Sequence, residues 1–199
     1  MDPKDVRNGD VNKVTQPNKA MDGLESFLSA LESNNPPEWD ALPDLGLYMD
    51  QVINYLERQI GLLFPPNREG AITSSMINNY VKANVIPRAR SKKYSQEHIA
   101  LLLAAFVLKK ALTTQDMGVL MTKGTDSAIE DPYRSFYEHY RSTLLECGKT
   151  VAQEMRASLE EEPFGGDSLR PLALKLAVEA SIRSLAAEML LTLLEPMAH

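Results

Sequence analysis

The chain has 199 residues, a length that fits one domain or two small ones. Hydrophobic residues make up 44% and charged residues 24%, which excludes a chain that is disordered throughout. The net charge of −6 excludes a basic protein that coats nucleic acid generally, and a single cysteine excludes an internal disulfide and a thiolate-rich metal site.

The first elements of the chain are a tail and two predicted helices. Residues 1–21 are polar and predict a flexible tail. Asp22, with Glu25 at capping-box spacing, predicts the start of a short helix that ends near Ser33. Apolar residues at steps of three and four predict a second helix over residues 47–63, which the following prolines end.

A short polar helix and an irregular basic segment come next. Thr73 is a good N-cap for a helix that reaches Ala83, and Asn84 suits the left-handed position that often follows a helix. Residues 87–94 have no helical periodicity, so we expect a short loop or a small hairpin there.

The remainder of the chain predicts four more helices and no strand-rich region. Ser95 caps a helix over residues 96–111, and a threonine at 113 or 114 caps a shorter one that reaches Met121. Asp131 caps a helix over residues 132–160, with proline at its favoured first position.

The last predicted helix, residues 168–194, is apolar around most of its circumference. It is therefore either buried on several sides or shared with a partner chain. The four charged side chains of its most apolar part, residues 172–194, are too many for a lipid-facing span, and residues 1–19 do not resemble a secretory signal. These features predict a cytoplasmic protein with no membrane segment.

The positive charge is concentrated in one part of the chain. Residues 82–110 carry a net charge of +6, whereas the other residues together carry −12. A positive face on an acidic body suits a protein that binds a DNA groove, because phosphate contacts supply most of the sequence-independent affinity. The alternative is a solvated basic loop with no partner.

The predicted helix over residues 73–83 carries small polar side chains away from its apolar side. Serine and asparagine can bond base edges or phosphates, whereas a solvated face more often carries Glu and Lys. With the basic segment, the predicted DNA-binding residues are Ser74, Ser75, Asn78, Asn79, Lys82, Arg88, Arg90, Lys92, Lys93 and Tyr94.

Residues 72–88 resemble the recognition helix and exit turn of the MerR-type winged helix-turn-helix. In the same resemblance, residues 88–93 stand for the wing, residues 94–99 for the entry to the next helix and residues 112–117 for the helix after it. The resemblance implies that the helix over residues 73–83 enters the major groove and that the wing holds phosphate or the minor groove.

The chain departs from the MerR pattern in three places. Residues 61–71, with two prolines, lengthen the turn that is tight in that family. MerR proteins often have Arg and Tyr where this chain has Asn78 and Asn79, and their long dimerisation coiled coil is not evident here.

Over a wider span, residues 39–121, the chain resembles the bacterial DUF1836 family, a domain of unknown function. Residues 47–52, 76–80 and 93–99 carry this resemblance. It covers about two fifths of the chain and is closer than the likeness to MerR proteins.

No pattern in the sequence indicates an enzyme, a metal site or a cofactor. There is no glycine-rich phosphate loop, and His98, His139 and His199 have no second histidine or cysteine at metal-ligand spacing. We interpret His98 as a surface residue and Cys147, on the apolar side of its helix, as a buried and inert thiol.

The sequence predicts a mainly α protein: a flexible tail (1–21), a MerR-like winged helix-turn-helix module (22–123) and a C-terminal helical dimerisation or regulatory region (124–199). The predicted function is a DNA-binding transcriptional regulator that binds double-stranded DNA as a homodimer through its C-terminal helices. Aromatic residues of the helix over residues 132–160 either line an effector pocket or, as we favour, form a packing core. The alternative function is a helical protein-interaction module that does not bind DNA.

Overall fold

A computed structural model describes residues 11–33, 35–60, 72–121, 131–161 and 165–194. Over these residues the protein is mainly α-helical, as the sequence predicts, and pairing between extended segments is limited to isolated bridges. The helices are α1 (Val11–Ser33), α2 (Met49–Ile60), α3 (Ser74–Lys82), α4 (Gln96–Leu108), α5 (Thr114–Met121), α6 (Pro132–Glu161) and α7 (Gly166–Leu194), with one 3-10 turn at Trp39–Ala41.

Four of the helices begin at the capping residues that the sequence indicates. The Thr73 hydroxyl accepts a hydrogen bond from a backbone N–H of the first turn of α3 at 3.3 Å, and Thr113 does the same for α5 at 3.2 Å. The Asp131 carboxylate accepts the equivalent bond in α6 at 3.0 Å, and Ser95 caps α4. These bonds join near neighbours in the chain, so local sequence is enough to predict them.

Helix α1 differs from the prediction because it begins at Val11 and not at Asp22. Part of the predicted tail is thus helical, while residues 1–10 lie outside the described residues. The carboxylate of Glu25 does not close a capping box; it forms an ion pair with Arg156 of α6 at 2.6 Å. The residues that resemble a helix start therefore lie inside α1, where they contact α6 and do not cap a helix.

Helix α4 lies at the centre of the fold. Its residues from His98 to Phe106 are all buried, and it packs against α2, α5 and α6. The Phe106 ring meets the Tyr80 ring of α3 edge to face, with 5.7 Å between ring centroids. Because α4 is buried on all sides over this stretch, it is apolar around its circumference and not amphipathic. It therefore forms the centre of the core against which the neighbouring helices pack.

The segment that precedes α2 is held on α6 by a set of polar and aromatic contacts. The buried Tyr137 hydroxyl donates to the carbonyl of Pro37 at 2.8 Å, and its ring lies 6.1 Å from that of Trp39. The Trp39 amide donates to Glu138 at 3.0 Å, and Arg141 binds Glu138 at 3.2 Å. The apolar core therefore continues from the residues before α2 into α6.

Helix α7 is packed on one side only. Leu172 and Leu191 are its buried residues, and the Ser184 hydroxyl donates to the carbonyl of Ala111. The opposite side of α7 is exposed. The sequence left two alternatives open, burial on several sides or sharing with a partner chain, and the first of them is wrong for the described residues. Within the described part of the chain, no helix combines the length and the apolarity needed to cross a membrane.

One expectation about α6 is wrong. Cys147 is exposed and not buried, because this stretch of the helix turns its neighbour Gly148 toward α1 instead. A Cβ atom at Gly148 would clash with the carbonyl oxygen of Leu31, so the two helix backbones approach each other closely at this point.

Candidate nucleic-acid interface

Helix α3 presents a polar face to solvent. Ile77 and Tyr80 are buried against the core, which orients the opposite side of this nine-residue helix outward. Every polar residue that the sequence analysis assigned to DNA contact on this helix is exposed: Ser74, Ser75, Asn78, Asn79 and Lys82. Their hydroxyl, amide and ammonium groups are the donors and acceptors that can recognise base edges and phosphates.

The end of α3 is a sharp turn centred on Asn84, which has a φ of 58°. The Val85 amide donates to the carbonyl of Tyr80 at 2.9 Å, and the Asn84 amide donates to that of Val81 at 3.2 Å. This is the left-handed helix end that the sequence predicts. Val85 and Ile86 are buried immediately after it, so the chain is anchored in the core before the basic segment begins.

The basic segment forms a minimal hairpin. Arg90 and Lys93 form an antiparallel bridge, with the Lys93 amide donating to the carbonyl of Arg90 at 2.9 Å. Ser91 and Lys92 have φ values of 52° and 62°, the two positive values that a type I′ turn requires. The sequence left a loop or a small hairpin open, and the structure has the hairpin.

Tyr94 fixes the base of this hairpin. Its side chain is only 6% exposed and packs edge to face on His98, with 5.6 Å between ring centroids. Its backbone exchanges two hydrogen bonds with Leu47, at 2.8 and 2.9 Å. The expectation that Tyr94 contacts DNA is therefore corrected: burial against the core makes it a positioning residue.

The segment before α2 also supports the hairpin. The Lys93 ammonium lies 5.6 Å from the centroid of the Tyr48 ring, a cation–π distance. A Cβ atom on Gly46 would lie 2.9 Å from the Cβ of Lys93, so the absence of a side chain at Gly46 allows the Lys93 stem to pass. These contacts attach the hairpin to the start of α2, which in turn packs against α3.

Five cations of α3 and the hairpin segment are exposed, and none of them pairs with a carboxylate in the part of the chain that the structure describes. Within the described residues, no salt bridge involves Lys82, Arg88, Arg90, Lys92 or Lys93. Five cations elsewhere do pair with an acid: Arg134, Arg141, Arg156, Lys175 and Arg183. Arg58, Lys149 and Arg170 are exposed without a salt bridge as well, but they are scattered over three helices. Among the described residues, the cations without a carboxylate partner are therefore concentrated beside the polar face of α3.

The structure divides the basic segment that the sequence analysis treated as one. Lys109 and Lys110 follow the last turn of α4, and the hairpin precedes its first turn. A helix of 13 residues separates them by about 20 Å. Lys109 also lies over the Phe106 ring, 5.1 Å from its centroid. These two lysines are therefore not neighbours of the hairpin.

His98, which we expected at the surface, is buried beneath the hairpin and is only 6% exposed. Its Nδ1 accepts a hydrogen bond from the Ser95 amide at 3.1 Å and so completes the cap of α4. Its Nε2 is buried close to the backbone of Pro87 and Arg88, and it forms no well-aligned hydrogen bond with the described residues. Burial lowers the pKa of this imidazole, and the positive charge of Arg90 adds to the effect, while the backbone of Arg88 and the carboxylate of Glu97 oppose it.

We expect this histidine to make folding sensitive to acid. The folded protein binds the His98 proton less readily than the unfolded chain does, so the free energy of unfolding is retained above about pH 6.5 and decreases as the pH falls below it. His98→Gln keeps an acceptor for the Ser95 amide without a titrating group. Denaturant unfolding at pH 7.5 and pH 5.5 should show a smaller loss of stability for the variant, and equal losses would contradict the prediction.

Comparison with protein families identifies the larger part of the region just described. The sequence matches the family called domain of unknown function (DUF1836) over residues 37–142, more than half of the chain. The chain therefore belongs to this family. The matched range runs from the segment before α2 into the first third of α6, and so includes α3, the hairpin and α4. No curated protein and no solved structure matches the chain.

Proposed function

We propose that this protein is a DNA-binding transcriptional regulator that inserts α3 into the major groove of double-stranded DNA. The observation that carries the proposal is a set of five exposed cations beside the exposed Ser and Asn side chains of α3, none of which pairs with a carboxylate of the described residues. An acidic protein gains nothing in solubility from such a local excess of positive charge, whereas a phosphate backbone neutralises it.

The dimensions of α3 support its assignment to the groove. Its nine residues form a helix about 13 Å long. An α-helix with its side chains is about 10–12 Å across, which fits the major groove, about 12 Å wide. Asn78 and Asn79 are exposed near its middle, and an asparagine amide can bind adenine through two hydrogen bonds. In the proposed complex these amides read base edges, while Lys82 binds phosphate.

The hairpin supplies the second contact. Arg88, Arg90, Lys92 and Lys93 lie on a segment that buried residues anchor at both ends, so their positions relative to the fold are restrained. In the proposed complex they bind phosphates or enter the minor groove, as the wing of a winged helix-turn-helix does. The order of α2, α3, the hairpin and α4 along the chain supports this likeness to MerR-type proteins. The connection between α2 and α3, the predicted lengthened turn at residues 61–71, lies outside the described residues.

Salt dependence of DNA binding tests the proposal. If the five cations neutralise four or five phosphates per protomer, the logarithm of the association constant should fall with the logarithm of salt concentration with a slope of about −4. Fluorescence anisotropy of a labelled duplex of about 12 base pairs, titrated between 50 and 200 mM salt, measures this slope. Absence of binding at low salt, or binding that salt does not weaken, would contradict the proposal.

A further inference from the structure

Helix α7 carries an unpaired apolar stripe on the side that faces away from the rest of the protein. The stripe consists of large side chains that are each at least 53% exposed and that recur at steps of three and four: Leu174, Val178, Ile182, Leu185, Met189 and Leu193. Leu190 and Leu194, also exposed, lie on one shoulder of it. The buried residues of α7, Leu172 and Leu191, are on the other side of the helix.

The stripe and its shoulder are as large as the largest apolar patch that a monomer ordinarily exposes, and they supply most of the area that a stable interface needs. From Leu174 to Leu193 it runs about 30 Å along the helix. At roughly 80 Å² of exposed surface for each half-exposed side chain, the stripe and its shoulder present on the order of 600 Å² of apolar area. The largest apolar patch of a typical monomer covers about 300–600 Å², and a stable interface takes about 800 Å² from each partner.

We propose that a second copy of this chain covers the stripe, so that the two α7 helices pack against each other across a two-fold axis. A two-fold interface uses the same surface from both subunits, and a straight row of similar aliphatic side chains is complementary to itself. Glu188 lies outside the stripe, whereas Lys175 borders it and Glu179 and Arg183 lie on the side of its shoulder. Lys175 pairs with Glu154 of α6. The centre of the seam between two copies is therefore apolar, and the charges lie at its edge.

This inference extends the proposed function and depends on it in one respect. Two copies joined through α7 carry two α3 helices related by the same axis, and such a dimer reads two half-sites of a palindromic DNA sequence. The interface between copies stands on the α7 stripe alone, so it remains testable if DNA binding fails.

Sedimentation equilibrium of the full chain tests the interface. The monomer has a mass of 22.2 kDa, and we expect wild-type protein at about 20 μM to have twice this mass. Val178→Glu with Leu185→Glu places four carboxylates in the seam of a dimer and should give the monomer mass. The control is Ala173→Glu with Ala177→Glu, which adds the same charge at exposed positions of α7 outside the stripe and should leave the dimer intact.

Circular dichroism separates loss of the interface from loss of the fold. The substituted side chains of the stripe are exposed, so the far-ultraviolet spectrum of the stripe variant should keep its helical signal. A wild-type mass other than that of a dimer at about 100 μM, or a dimer that the stripe variant leaves intact, overturns the proposal. Anisotropy with the duplex of about 12 base pairs, too short for two protomers, reports separately on the proposed function. A stable dimer without DNA binding refutes only that function.

Discussion

Replacing Arg90 and Lys92 by alanine should weaken DNA binding at least about tenfold at 100 mM salt and reduce the salt slope by about two. Both side chains are exposed in the hairpin and neither has a carboxylate partner among the described residues. Position 92 has a positive φ, a backbone conformation that lysine and alanine both disfavour. The substitution therefore removes charge without relieving or adding backbone strain in the hairpin. Anisotropy titrations over several salt concentrations measure both quantities.

The matched control removes two positive charges at a distance from the hairpin. Lys149 and Arg170 are exposed on α6 and α7, so the double alanine variant has the same net charge as the hairpin variant. If the five cations act locally, the control binds nearly as well as wild type. Equal losses in the two variants would show that net charge alone controls binding, which would contradict a specific interface.

Asn78→Ala should have a different effect from the hairpin variant. The Asn78 amide carries no charge, so its loss should change which sequences are selected from a random pool of duplexes and leave the salt slope unchanged. The rival function, a protein-interaction module, predicts that neither variant alters DNA binding and that both disrupt capture of an acidic protein partner. The two sets of outcomes exclude each other.

Replacing Gly148 by valine should lower the free energy of unfolding by about 1–3 kcal/mol. Even a Cβ atom at this position would clash with the carbonyl oxygen of Leu31, and a backbone atom cannot move aside without shifting α1. Denaturant unfolding measures the loss. Limited proteolysis should show earlier cleavage within α1, since α1 contacts the rest of the fold chiefly through α6.

Gly23→Ala is the control for this prediction. Gly23 also lies within a helix, but no atom is within 4 Å of the position of its Cβ. The alanine therefore gains helix propensity without a clash, and we expect stabilisation by about 1 kcal/mol or less. If valine at Gly148 were as well tolerated as alanine at Gly23, the close approach of α1 and α6 would be wrong.

The sequence predicted most of the candidate interface because its signals are local. The Thr73 cap and the left-handed residue at Asn84 each depend on hydrogen bonds or dihedral angles within a few neighbouring residues. For residues 87–94 the sequence left a loop or a small hairpin open, and the structure placed the turn at residues 91 and 92. The polar residues of α3 are exposed because Ile77 and Tyr80, at helical spacing, take the other side to the core.

The sequence placed Tyr94 and His98 wrongly because burial depends on contacts between distant parts of the chain. Both residues lie next to exposed charged neighbours, and only the pairing of Tyr94 with Leu47 and the packing around α4 put them inside. Lys109 and Lys110 are separated from the hairpin for a related reason. They follow α4 and the hairpin precedes it, so the length of the helix keeps them apart.

By itself, the sequence determined the helical class, most helix starts, the polar side of α3 and the cations that follow it, since each depends on residues within one or two turns of one another. Only the tertiary structure decided how far α1 extends, that Gly148 lies beneath its backbone, and that α7 leaves a long apolar stripe exposed. Those features depend on which of several similar apolar helix faces pack against each other. Contacts between residues that are remote in the chain determine that packing.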